Sequence, residues 1–156
     1  MYEFKVNDKV YKVRYGYGVL YQSDLIDRVL TASTGKAEDA AGAIKNLIGL
    51  TGELLLAGLQ KKHSDEFGYD PESPSERKDM ISKACDLIDD YEDEHRGVDD
   101  KNGFTLFNDL QKELENNGFL SQISRMGMET AADQNATVIP MDHQVKRRTR
   151  KTGENQ

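Results

Sequence analysis

Gly16 and Gly18 stand two residues apart in "KVRYGYGVLYQSD", directly after a run of alternating apolar residues. That is the spacing at which a dinucleotide-binding turn brings its backbone against a pyrophosphate, but the motif needs a third glycine where this chain has Tyr21. A P-loop would end in Gly-Lys-Ser/Thr, and the stretch has no such ending. Tyr15, Tyr17 and Tyr21 invite a second chemistry, the stacking of nucleic-acid bases. Stacking platforms work beside a positive groove, and most of this chain is acidic. The remaining reading is a corner between a strand and a helix, with the glycines turning the chain and the tyrosines mostly packed.

Carboxylates offer a third chemistry. Asp86, Asp89, Asp90, Glu92, Asp93 and Glu94 crowd one segment, and spacings of three and four put Asp86, Asp89, Asp90 and Asp93 on neighbouring turns of a helix. Ile81, Ala84, Cys85, Ile88 and Tyr91 form the apolar face of the same helix, so the acids read as a solvated face that could meet a basic partner. "VDDKNGFTLFND" has the outline of a calcium loop around Gly103. Aligning that glycine with the sixth loop position puts Val98 at the first, where a carboxylate is required. Asp100 and Asn102 instead read as a turn that starts a helix. His63, His95 and His143 are scattered singly and Cys85 has no partner thiol, so zinc-ligand spacing is missing. No Gly-x-Ser-x-Gly elbow or Cys–His signature is present. Neither a cofactor nor a metal is expected, and neither is catalysis.

Composition narrows the field further. The 156 residues carry a formal charge of −7, which disfavours general binding to DNA or RNA. The charge is uneven: "KRRTRKTGENQ" at the end carries +4 and leaves −11 on residues 1–145. The most apolar segment, "NLIGLTGELLLAGLQ", is interrupted by Glu53 and is short for a bilayer span. Charged Glu3 and Lys5 near the start do not read as a signal peptide, and one cysteine allows no internal disulfide. A soluble protein of a reducing cytoplasm is the expectation.

The elements that would position any site begin with a β-hairpin over residues 1–15. Tyr2, Phe4 and Val6 alternate, as do Tyr11, Val13 and Tyr15, with Asn7-Asp8 as a two-residue turn. That register sets Phe4 opposite Tyr11, Tyr2 opposite Val13, and Glu3 opposite Lys12 on the other face. Helical patterns follow. Ser23 can cap a helix to about residue 32 that carries Leu25, Ile26, Val29 and Leu30, and "ASTGK" makes a loop. A second helix spans about 37–62, and "DEFGYDPES" breaks the chain. A third runs from Ser73, Pro74 and Glu76, a capping-box start, to about Arg96 with Gly97 behind it. A fourth covers about 105–117, followed by the apolar piece "FLSQISRMGM". The expected fold is mainly α with an N-terminal β-hairpin packed on a small helical bundle. One domain covers residues 1–128 (hairpin 1–15, helical part 23–128), with a flexible polar, basic tail at 129–156.

The second helix is unusually apolar. Ile44, Leu47, Ile48, Leu50, Leu54, Leu55 and Leu59 cover an arc of roughly 180°, wider than a surface helix needs, and Leu56 lies outside even that arc. Gly42, Gly49, Gly52 and Gly58 interrupt it, each at a cost of about 1 kcal/mol against alanine. Close approach of a neighbouring backbone would offset that cost. The helix is either the centre of the core or a core helix with part of its arc left for a partner.

"YEFKVNDKVYKVRYGYGVLYQSDLIDRV", with its F-x-V-N-x-K-x-Y-x-V pattern from Phe4 to Val13, resembles the N-terminus of tail assembly chaperones from long-tailed phages and prophages of Gram-positive bacteria. The resemblance extends through the helical region to about residue 125. It implies a non-enzymatic role in the host bacterial cytoplasm. Such proteins bind the helical tape-measure protein, keep it soluble, help recruit tail-tube subunits and are absent from the mature virion. In some, a longer product made by ribosomal frameshifting carries an extension that contacts the tube protein. No site residues transfer from the resemblance. A chaperone of helices needs an exposed apolar face, and Leu50, Leu54, Leu55 and Leu59 are the first candidates, with Phe104 and Phe107 second. Each of these also has a core reading, and self-association could close the same face. A small helical adaptor or regulatory protein that binds another partner is the alternative. A hydrolase with a deep polar pocket is a third class.

Overall fold

The computed structural model describes residues 1–22, 24–33, 39–116, 121 and 125–126. The chain divides into two units, Met1–Ser121 and Gln122–Gln156. Of the second, only Arg125 and Met126 are described, both helical. The expectations for Ser23, for most of "FLSQISRMGM" and for the 129–156 tail lie outside the described residues.

The first unit is mainly α with an N-terminal β-hairpin, as the sequence pattern predicts. Strands β1 (Tyr2–Val6) and β2 (Lys9–Val13) pair antiparallel with Tyr2 opposite Val13, Glu3 opposite Lys12 and Phe4 opposite Tyr11. Asn7 and Asp8 both adopt positive φ, +53° and +56°, the left-handed pair that a two-residue hairpin turn of this twist requires. Phe4, Val6, Tyr11, Val13 and Tyr15 are buried on one face.

Helix α1 (Tyr17–Gln22) occupies what the sequence reads as a corner. Tyr15 alone of the three tyrosines packs inside; Tyr17 is 68% and Tyr21 91% exposed. Gly97 is the described glycine with positive φ, so Gly16 and Gly18 do not turn the chain by left-handed backbone. The expectation of mostly packed tyrosines is thereby corrected. Once Tyr17 starts a helix, its ring and that of Tyr21, one turn later, share an outward face. Helix α2 (Leu25–Ser33) buries Leu25 and Val29 and leaves Leu30 exposed. It also takes in the first two residues of the expected loop at 32–36, of which 34–36 are not described.

Helix α3 (Ala40–Gln60) is capped by the Asp39 carboxylate, which accepts from Gly42 N–H. At 21 residues it is longer than its most apolar run, and by length and composition alone it could cross a membrane. Core helices of soluble proteins meet the same test, and from Leu50 to Leu59 every residue but Glu53 is buried. Helix α4 (Ser64–Phe67) is a single turn that runs into the expected break and buries Phe67. Helix α5 (Pro74–Glu94) starts as expected on Ser73, whose hydroxyl accepts from Glu76 N–H, and Gly97 follows its end at φ +88°. The capping box is only half formed: Glu76 accepts from Asp70 N–H at 3.0 Å, while Ser73 N–H donates to the Asp70 carbonyl at 2.9 Å. Helix α6 (Gly103–Glu115) begins two residues earlier than its periodicity implies. Asn102 accepts from both Phe104 and Thr105 N–H, and the Thr105 hydroxyl accepts from Asn102 N–H in return.

The C-terminal half of α3 is the hub, touched by β2, α2, α4, α5 and α6. Glycine makes two of these contacts close. A Cβ at Gly52 would lie 2.6 Å from Cys85 Sγ on α5, and one at Gly58 would overlap Val13 Cγ1 and lie 3.3 Å from the Tyr15 ring. At the second point Arg14 N–H donates to the Gly58 carbonyl at 2.9 Å and the Tyr15 hydroxyl donates to the Leu54 carbonyl at 3.0 Å. Around Gly49, by contrast, nothing among the described residues lies within 4 Å of where a Cβ would stand. Gly58→Ala is expected to lower unfolding stability in urea by about 1–3 kcal/mol through overpacking. Gly49→Ala is expected to raise it by about 0.5–1 kcal/mol through helix propensity alone. Equal effects at the two positions would show that the approach of β2 to α3 is looser than described.

Candidate functional site

Five of the six candidate partner-binding residues lie in the core. Leu50, Leu54, Leu55, Leu59 and Phe107 are all buried, because α2, α4, α5, α6 and the hairpin surround the second half of α3. In this fold they hold the protein together and present nothing to a partner. Phe104, in the first turn of α6, is the exception at 61% exposed.

The apolar surface sits elsewhere on the same helix. Between Ala40 and Gly49 the sequence is AAGAIKNLIG, with Lys45 as its one charge. Ile44 is 60% and Ile48 64% exposed, and the spacing of four stacks them on one face with Leu47, half-buried, beside them. All three belong to the arc read from the sequence. Periodicity gives the arc but not which half of the helix the other elements cover.

A cleft of about 470 Å³ opens between α2, α3, α5 and the chain around Tyr69 and Pro71. Its inner carboxylate is Glu53, which the sequence shows only as an interruption of an apolar run. Arg28 grips it with two bonds, Nη1 to Oε2 at 2.7 Å and Nη2 to Oε1 at 2.9 Å, and Arg77 Nη2 reaches Oε2 at 3.0 Å. Burial acts to raise the Glu53 carboxyl, but the Arg28 hydrogen bonds and the charges of both arginines prevail and hold it below its ordinary value. A carboxylate clamped this way is a poor proton acceptor; it ties α2, α3 and α5 together.

A second ionic node joins the hairpin to α4 and α5. Glu66 accepts from Lys9 Nζ at 2.6 Å and from the Tyr11 hydroxyl at 3.4 Å, and Lys83 Nζ donates to the Glu66 carbonyl at 2.9 Å. The Lys9 hydrogen bond draws the Glu66 carboxyl below its usual range, and Lys83 reinforces it. His63 Nε2 accepts from Lys12 N–H at 2.9 Å. Tyrosine hydroxyls are suppressed as acids: burial, with Asp109 and Tyr91 nearby, pushes Tyr2 up to about 12, and burial, with Glu113 nearby, raises Tyr15 well above its ordinary value. Burial and the acids Asp89, Asp86 and Glu53 push the Cys85 thiol up, which disfavours the nucleophilic thiolate.

The acidic run on α5 is only partly the solvated face read from its pattern. Glu94 accepts from Asn7 N–H at 2.6 Å, Asp90 from Asn7 Nδ2 at 2.7 Å, and Glu92 from Gly103 N–H at 2.6 Å. These acids satisfy backbone and turn donors of the hairpin and of α6. Among the described residues, no group of three or more His, Cys, Asp or Glu is placed to hold a metal ion.

No protein-family model matches the chain, and no significant match is found among curated proteins or solved structures.

Replacing Glu53 by glutamine tests the Arg28–Glu53–Arg77 node. The folded-state carboxyl lies below its unfolded value near 4.5, so its stabilisation is complete above that value and is lost as pH falls through the folded one. Glu53→Gln is expected to cost about 1 kcal/mol at pH 7, a small figure because both arginines are well exposed to screening solvent. The gap between variant and parent should close as the pH falls through the lowered folded-state value of the Glu53 carboxyl. A cost that does not change with pH would mean that the amide disturbs packing rather than the ion pairs.

Proposed function

We propose that this protein is a phage tail assembly chaperone, a stoichiometric binding protein that holds the tape-measure protein soluble in the host bacterial cytoplasm and is absent from the finished particle. The observation that carries the reading is the exposed apolar first half of α3, with Ile44 and Ile48 one turn apart and Lys45 as its one charge. An amphipathic helix from a tape-measure protein can bury its own stripe against such a face, by the same anchor spacing that helix-in-groove complexes use. The F-x-V-N-x-K-x-Y-x-V hairpin supplies the family resemblance, and the buried second half of α3 supplies a rigid base for the exposed half. Recruitment of tail-tube subunits, through a longer frameshifted form, belongs to the same proposal.

The docking face moves accordingly from Leu50, Leu54, Leu55 and Leu59 to Ile44 and Ile48, with Phe104 kept from the second set. Leu47 sits between the two isoleucines in sequence and is partly covered by the core.

Co-expression with the tape-measure protein encoded in the same genome, followed by affinity purification, tests the proposal. A defined complex is expected, with the tape-measure protein insoluble when expressed alone. The Ile44→Asp/Ile48→Asp double variant should weaken that complex at least about tenfold, as loss of central apolar anchors does. Because both side chains are exposed, its thermal unfolding should stay close to that of the parent. Two proteins that remain soluble and separate, with the longer form also tried, would overturn the chaperone reading. Tight capture of a different helical protein through the same isoleucines would favour the adaptor alternative.

A further inference from the structure

The hairpin has two outer edges, and they are treated differently. In a two-residue hairpin the pairs Val6–Lys9, Phe4–Tyr11 and Tyr2–Val13 exchange backbone hydrogen bonds, so the residues between them turn their N–H and C=O groups outward. On β2 the outward donors meet the helices: Lys12 N–H is bonded to His63 and Arg14 N–H to the Gly58 carbonyl. On β1 the outward N–H of Asn7, beyond the last pair, is taken by Glu94. The outward groups of Glu3 and Lys5 have no partner among the described residues, and both side chains are exposed. They leave a short open ladder on the edge of a sheet, a template for a further strand.

We propose that the occupant is β1 of a second copy of this chain, paired antiparallel about a two-fold axis through Phe4. In that register Glu3 lies opposite Lys5 of the other copy, and Lys5 opposite its Glu3. These are the residues whose backbone groups point outward, so each pair exchanges two hydrogen bonds and the two-fold doubles them. Their side chains share the solvent face and carry opposite charges. Lys12 already stands opposite Glu3 across the hairpin, so each Glu3 sits between two lysines in the row across a four-stranded sheet. The neighbouring symmetric registers centre on Glu3 or on Lys5 and set like charges directly opposite, which destabilises the pairing. Phe4 and Val6 stay buried in their own cores, and the two-fold makes the contact self-complementary. The interface is separate from the exposed face of α3 and does not rest on the chaperone reading.

Sedimentation of the purified full chain over a concentration series tests the proposal, with circular dichroism to verify that each variant is folded. A concentration-dependent dimer is expected for the parent. Lys5→Glu and Glu3→Lys should each weaken it at least about tenfold by bringing like charges together. An equimolar mixture of the two variants should recover a heterodimer, since both pairs formed between the copies are then opposite in sign. Lys5→Pro takes away an outward N–H together with the lysine charge but no donor of the β1–β2 ladder, so it should give a folded monomer. Persistence of the dimer in Lys5→Pro, or failure of the mixed variants to associate while both are folded, would overturn the assignment. A parent that stays monomeric throughout leaves the edge to an extended segment of another protein and also overturns it.

Discussion

At Gly58 the second strand of the hairpin and the central helix meet with no side chain from the helix between them. Val13 and the Tyr15 ring occupy the space a Cβ would fill, and Arg14 N–H closes on the Gly58 carbonyl. A two-stranded hairpin is at best marginal in water, so this one depends on having its buried face and the outer edge of β2 held by something else. The Tyr15 hydroxyl on the Leu54 carbonyl and Lys12 N–H on His63 extend the seam by about a turn of helix in each direction. Burial of Phe4, Val6 and Tyr11 follows from that placement. So does the reach of the Asn7 turn to the acids at the end of α5.

Ion pairs have a different part. Arg28–Glu53–Arg77 and Lys9–Glu66–Lys83 each connect three elements, yet their basic members are open to solvent. Such pairs contribute modestly to stability. Their value is in direction. Glu53 is the one residue between Leu50 and Leu59 that is not buried, and it sits where α2 and α5 can both present an arginine. The apolar helix thereby gains a fixed rotation about its own axis, which uniform leucine burial would leave poorly determined.

The hairpin is legible in the sequence because three independent signals coincide in one register: the period of two, the Asn-Asp turn and the Glu3–Lys12 pairing. The starts of α5 and α6 are legible through Ser73, Pro74 and Asn102, whose side chains satisfy donors that every helix leaves open. Helices α1 and α4 escape detection because six and four residues are too few for a periodic pattern and too short to be stable outside their tertiary setting. Glu53 escapes as well, since its partners lie 25 and 24 residues away and charge pattern within a helix reports only neighbours three or four positions apart. The burial of Leu50, Leu54, Leu55, Leu59 and Phe107 is not legible in the sequence for a related reason. A wide apolar arc says that a helix is largely covered; it does not say over which of its turns.

The glycines of α3 sharpen that last point. Gly42 leaves room for the Asp39 carboxylate that caps the helix, Gly52 admits Cys85, and Gly58 admits Val13. Each recovers through a contact the roughly 1 kcal/mol that glycine costs in a helix interior. Gly49 recovers nothing from the described residues, none of which lies within 4 Å of where its Cβ would stand. It follows Ile48 directly, on the part of the helix where the apolar side chains face solvent. On the proposed function the partner helix lies against Ile44 and Ile48, and Gly49, turned about 100° from Ile48 around the helix, flanks that face. One helix then serves two interfaces, its second half closed by the protein's own elements and its first half closed from outside.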